Sequence, residues 1–89
     1  MAFAIEFEEA ATKELDDLGR DAAKRILRFL HLRVASLDDP RAIGQALKGS
    51  KLGEFWKYRV GDYRIIAKIE DSAVRVLVVR IGHGRNVYR

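Results

Sequence analysis

Three cations near the middle of this 89-residue chain are spaced for chemistry on phosphate. Lys57 and Arg59 alternate within Trp56-Lys57-Tyr58-Arg59-Val60, and Arg64 follows the turn-like pair Gly61-Asp62. Residues two apart on a strand share a face, and a hairpin across Gly61-Asp62 predicts that Arg64 comes to lie beside Lys57 and Arg59. Arginine's planar fork matches phosphate oxygens, and lysine supplies a point charge. Such a cluster supports a metal-free route to RNA cleavage. The ribose 2′-oxygen attacks the adjacent phosphorus in line, and the bond to the 5′-oxygen breaks, leaving a 2′,3′-cyclic phosphate. This requires a base near the 2′-OH and an acid near the departing oxygen. It also requires cations aimed at the charge that builds on the phosphate. Tyrosine or histidine can move the protons, and a dense positive field eases their loss from tyrosine or lysine.

Other chemistries find little support. The chain has no cysteine, which excludes disulfides, thiolate zinc sites and a cysteine nucleophile. Its two histidines, His31 and His83, are far apart, and no HExxH, EF-hand or GxxxxGK[ST] spacing occurs. Gly82-x-Gly84 alone is a weak phosphate-loop signal. The second half offers only Glu54, Asp62, Glu70 and Asp71 as acids, mostly in turns. Metal-dependent and nucleotide-dependent chemistry are therefore not expected, and no cofactor is implied.

Charge is divided unevenly. Residues 1–40 carry six Lys/Arg against nine Asp/Glu, and residues 41–89 carry eleven against four, within a net charge of +4. A basic half of this kind attracts polyanions. No apolar run approaches the ~20 residues that span a bilayer, and the start, Met1-Ala2-Phe3-Ala4-Ile5-Glu6, lacks the pattern of a signal peptide. The reading is a cytoplasmic protein with no membrane partner.

The elements that must hold the cations follow from periodicity. Phe3, Ile5 and Phe7 alternate as a short strand. Ala10, Ala11, Leu15 and Leu18 repeat at helical spacing, and Gly19 is a natural stop. Asp21 is placed to cap a second helix running to about Leu37, with the stripe Ala22, Ala23, Ile26, Phe29, Leu30, Val34 and Leu37. Asp38-Asp39-Pro40 ends it. Residues 41–54 read as a polar connection. Strands are then predicted over 55–60, 63–69 and 74–81, joined by short turns into an antiparallel meander. The order β-α-α-β-β-β predicts one domain over 1–89. It is an α+β fold with a helical hairpin on one face of a small, mainly antiparallel sheet. Trp56, Tyr58 and Tyr63 read as core residues, Arg75 and Arg80 as surface or partner-facing, and His31 as a helix-surface residue.

These residues carry a resemblance to RelE-type toxins of the RelE/ParE superfamily. Phe3 to Phe7 with Ala10, Leu15 and Leu18 resembles the family's opening strand and helix. Leu47-Lys48-Gly49 and Trp56 to Ile65 resemble its core, in which a basic strand leads into G-x-Y-R. Ile81-Gly82-His83 with Val87-Tyr88-Arg89 resembles its closing motif. The resemblance covers nearly the whole chain. It implies a RelE-like, microbial-RNase-like fold and a metal-independent mRNA interferase that cuts mRNA in the ribosomal A site. It implies a cognate RelB-like antitoxin, with operator DNA reached only through the antitoxin complex. Carried over by position, Lys57 and Arg59 handle the phosphate and Arg64 stabilises the transition state. Tyr88 transfers a proton, and His83 serves as acid or base. Relatives usually carry arginine directly after the histidine position; here that place is Gly84, and Arg85 stands one residue late. The implied catalytic set is Lys57, Arg59, Arg64, His83, Arg85 and Tyr88, with a gap at 84. Two alternatives stay open: a ParE-like toxin acting on DNA gyrase, and an inactive homologue serving as an antitoxin-binding co-repressor.

Overall fold

In a computed structural model of the chain, which describes residues 2–47 and 55–84, the alternating segments pair into one mixed sheet of five strands. These are β1 (Ala4–Phe7), β2 (Gln45–Ala46), β3 (Phe55–Val60), β4 (Tyr63–Glu70) and β5 (Arg75–His83), in spatial order β1-β5-β4-β3-β2. The meander β3-β4-β5 is antiparallel as predicted, and β1 joins the far edge parallel to β5. The connection over 41–54 is not irregular throughout. Pro40–Ile43 forms a 3₁₀ turn, and Gln45–Ala46 adds an antiparallel edge strand against Lys57 and Trp56.

Two helices cover one face of this sheet, α1 (Glu9–Asp17) and α2 (Arg20–Phe29). Gly19, at φ +94°, turns the chain between them, a conformation that favours glycine. That reversal starts α2 at Arg20, so Gly19 rather than Asp21 is its N-cap. Asp21 lies in the first turn, where its charge still suits the helix dipole. The helix continues as a π-helical turn, Leu30–Val34, and is over before Leu37. The helix residues Ala11, Leu15, Ile26, Leu30 and Val34 pack against Tyr58, Val60, Ile65, Ala67, Val76, Val78 and Ile81 of the sheet. Truncating a fully buried member such as Ile26 to alanine costs about 2–5 kcal/mol. None of the described helices is long and apolar enough to cross a membrane.

One irregularity governs which β5 side chains face where. Ile66 lies opposite Arg80 and Ala67 opposite Val78, so Val79 has no partner. This β-bulge inserts a residue and shifts the alternation by one. Val76 and Val78 point into the core before it and Ile81 after it. β1 ends opposite Val78. Beyond it Glu14 of α1 takes over the edge of β5, accepting the Ile81 N–H at 2.9 Å and pairing with Arg80 at 3.2 Å.

Candidate functional site

The face of the sheet away from the helices carries the candidate site. Tyr58, Val60, Ile65 and Ala67 occupy the core side, so strand alternation puts Lys57, Arg59, Arg64 and Ile66 on the other. The tight turn at Gly61-Asp62, with Gly61 at φ +58°, sets the register. Arg59 stands directly opposite Arg64, and Lys57 opposite Ile66. The sequence-predicted cluster of three cations therefore forms. With Ile43, Gln45 and Tyr58 these residues line a cleft of about 270 Å³. Among the described residues its lining contains no carboxylate. Like charges directly across a strand pair are destabilising, so the cluster is not there for the stability of the sheet. It is suited to holding an anion.

Each cation is presented differently. Arg59 is exposed and Lys57 partly buried. Arg64 folds back over the turn, where its Nη1 donates to the carbonyl oxygens of Gly61 at 3.1 Å and Tyr63 at 2.9 Å. Carbonyls orient the guanidinium without cancelling its charge. Among the described residues no carboxylate pairs with Arg59 or Arg64.

Tyr58 closes the cleft but its phenol is committed elsewhere. The hydroxyl donates to the Pro40 carbonyl at 2.7 Å. Burial pushes its pKa up to about 12; Arg41 lowers it and Asp39 raises it further. A phenol that holds its proton this firmly is a wall rather than an acid-base group, in keeping with its reading as core.

The remaining candidates divide. His83 was expected to join the cluster as acid or base, and the structure does not bring it there. It lies opposite Tyr63 on β5, on the helix side of the sheet, with ring centroids 4.9 Å apart. Gly82 is the residue opposite Arg64, and Gly84 returns to the cationic face. Arg85 and Tyr88 lie outside the described residues. Arg80 is paired with Glu14, and Arg75 with Glu6 and Glu70. The Arg75 hydrogen bond holds the Glu70 carboxyl below the usual range. Sequence reasoning missed Ile43 and Gln45. They reach the cleft only because a two-residue strand pairs with β3, and two residues show no periodicity. No group of three or more His, Asp or Glu among the described residues is placed to hold a metal ion.

With this geometry in view, comparisons with known proteins are specific. Residues 5–88 match the family model described as ParE toxin of type II toxin-antitoxin system, parDE. The chain is similar to Toxin RelG of Mycobacterium tuberculosis, 25% identical over 89 residues, covering 100% of this chain and 99% of the relative. It is also similar to the mRNA interferase toxin RelE of Escherichia coli, 30% identical over 82 residues, covering 92% and 83%. Among solved structures it resembles a chain of the toxin–antitoxin complex RelBE2 from Mycobacterium tuberculosis. There the TM-score is 0.83 at 22% identity, over 93% of this chain and 92% of that one. A chain of the intact Escherichia coli RelBE toxin–antitoxin complex matches at TM-score 0.72 and 26% identity, over 93% and 98%.

Proposed function

The chain belongs to the RelE/ParE superfamily of toxins from type II toxin–antitoxin systems, and we propose that it is a metal-independent endoribonuclease cutting mRNA in the ribosomal A site. The observation that carries this reading is the cleft of Lys57, Arg59 and Arg64, with no carboxylate among the described residues of its lining. The name of the Escherichia coli relative, an mRNA interferase, supports it. In this reading the scissile phosphate lies over the β3–β4 hairpin. Arg59 and Arg64 take its non-bridging oxygens from two sides, and Lys57 meets the charge that builds as the 2′-oxygen bonds to phosphorus. The 2′-OH proton passes to a base, and an acid protonates the departing 5′-oxygen. Tyr88 is the proposed proton-transfer group and Arg85 a further proposed cation. His83 serves only if its ring leaves Tyr63 and crosses to the cationic face.

A RelB-like antitoxin is the proposed inhibitor, supported by the toxin–antitoxin complexes among the similar structures. An antitoxin that presents acidic or polar groups to the cleft would compete directly with RNA. Operator DNA would be met only through that complex, and the working compartment would be the cytoplasm.

The test is to add the purified chain to ribosomes translating a defined mRNA and to map new 5′ ends. Ends within A-site codons that require ribosomes and vanish with antitoxin are expected. A transcript left intact would overturn the reading. The ParE description of the matching family model favours a second reading, inhibition of DNA gyrase without RNA cleavage. Accumulation of covalent gyrase–DNA complexes, with mRNA untouched, would select it.

A further inference from the structure

We infer that Gly84 is a positioning residue for Arg64: its missing side chain leaves the space in which the Arg64 side chain lies docked on the β3–β4 turn. The Gly84 N–H donates to the Asp62 carbonyl at 3.1 Å, which ties the end of β5 across that turn. Position 84 is thereby held over Arg64. A Cβ built on Gly84 would meet Arg64 at Cζ, 3.3 Å away, and at Cγ and Nε, each 3.4 Å away. These contacts run from the stem of Arg64 at Cγ to its guanidinium at Nε and Cζ. A methyl group at 84 therefore presses the docked side chain by a few tenths of an ångström, which loosens the hydrogen bonds of its Nη1 to the Gly61 and Tyr63 carbonyls.

No backbone atom is among the three nearest neighbours of that Cβ. A methyl group at 84 therefore meets the Arg64 side chain and leaves the fold intact. The substitution acts on the conformation of one cation. In this chain the glycine is part of how the cleft is built.

The functional half of the inference rests on the cleavage reading; the conformational half does not. Side-chain NMR of the ¹⁵N-arginine-labelled full chain tests the latter, with Arg64 assigned by Arg64→Lys. Hindered rotation and slow exchange of the Arg64 Nη protons are expected in the natural chain. They should be weakened in Gly84→Ala with little change in Tm. An unchanged Arg64 signal in Gly84→Ala overturns the inference. Single-turnover cleavage of ribosome-bound mRNA tests the functional half. Gly84→Ala is expected to lower the saturating rate about tenfold with the half-saturating concentration unchanged. In the Arg64→Ala background the same substitution should change the rate less than about twofold. An equal loss in both backgrounds would mean that Gly84 does not act through Arg64, and would sink the inference. Absence of cleavage by the natural chain counts against the proposed function alone, and the NMR still decides the placement.

Discussion

The two ends of the β3–β4–β5 meander treat their cations in two opposite ways. At the end near the β4–β5 connection, Arg75 lies between Glu6 and Glu70, and nearby Arg41 bridges Asp39 and Asp71. At the end near the β3–β4 turn, Arg59 faces Arg64, and the partners of Arg64 are carbonyls. Residue type is the same and the surroundings are reversed. The first end is neutralised within the chain, whereas among the described residues no carboxylate pairs with Arg59 or Arg64 at the second. Mutual repulsion there is a standing cost that the proposed phosphate would remove.

The contrast can be broken from its larger side first. Arg59→Ala or Arg64→Ala is expected to lower ribosome-dependent cleavage by about 10²–10³-fold, measured as single-turnover rates. Denaturation midpoints should stay put or rise slightly, since a repulsion is removed. A comparable loss from Arg75→Ala would erase the distinction between the two ends. Tyr58→Phe probes the wall of the cationic cleft. It leaves the carbonyl of buried Pro40 without its donor, at about 1–3 kcal/mol in urea denaturation.

Smaller effects come from the neutralised end, where the charges are exposed. The carboxyl groups of Glu70 and Asp71 are lowered by their hydrogen bonds to Arg75 and Arg41. A carboxyl group lowered in the folded state contributes stability above its ordinary pKa. That contribution is lost as pH falls through the lowered value. Stability should therefore decline on acidification below about pH 4, and the decline should be shallower in Glu70→Gln/Asp71→Asn. Smallest of all, Val74→Gly tests the one left-handed non-glycine residue among the described residues, at φ +50°. Relief of the left-handed penalty, offset by glycine's chain entropy, predicts a gain of about 0.5–1 kcal/mol by thermal denaturation.

Much of the fold was legible in the residues. The stripe from Ala22 to Val34 and the alternation in β1, β3 and β4 are local patterns, and each became an element with the expected buried face. The cluster of Lys57, Arg59 and Arg64 was equally legible, because a two-residue turn leaves one register in which the apolar residues of both strands share a face. The edge strand Gln45–Ala46 was not, since it owes its existence to the partner it found in β3. The role of Glu14 was hidden for a similar reason. On the helix it reads as a surface acid, and only the early end of β1 gives it a strand edge to satisfy.

By itself the sequence determined the two helices, the strands β1, β3, β4 and β5, and which face of the hairpin is cationic, and its charge motivates the proposed polyanion partner. These follow from side-chain periodicity and charge, which act over a few residues. Tertiary structure alone decided what the end of β5 contributes. Without the bulge at Val79 the alternation would send His83 to the cationic face and Gly84 away from it. With the bulge, His83 lies against Tyr63 at a tilt and Gly84 lies against Arg64. The phase of β5 is set by its pairing with β4 and β1, residues distant in the chain, and no local pattern in β5 encodes it.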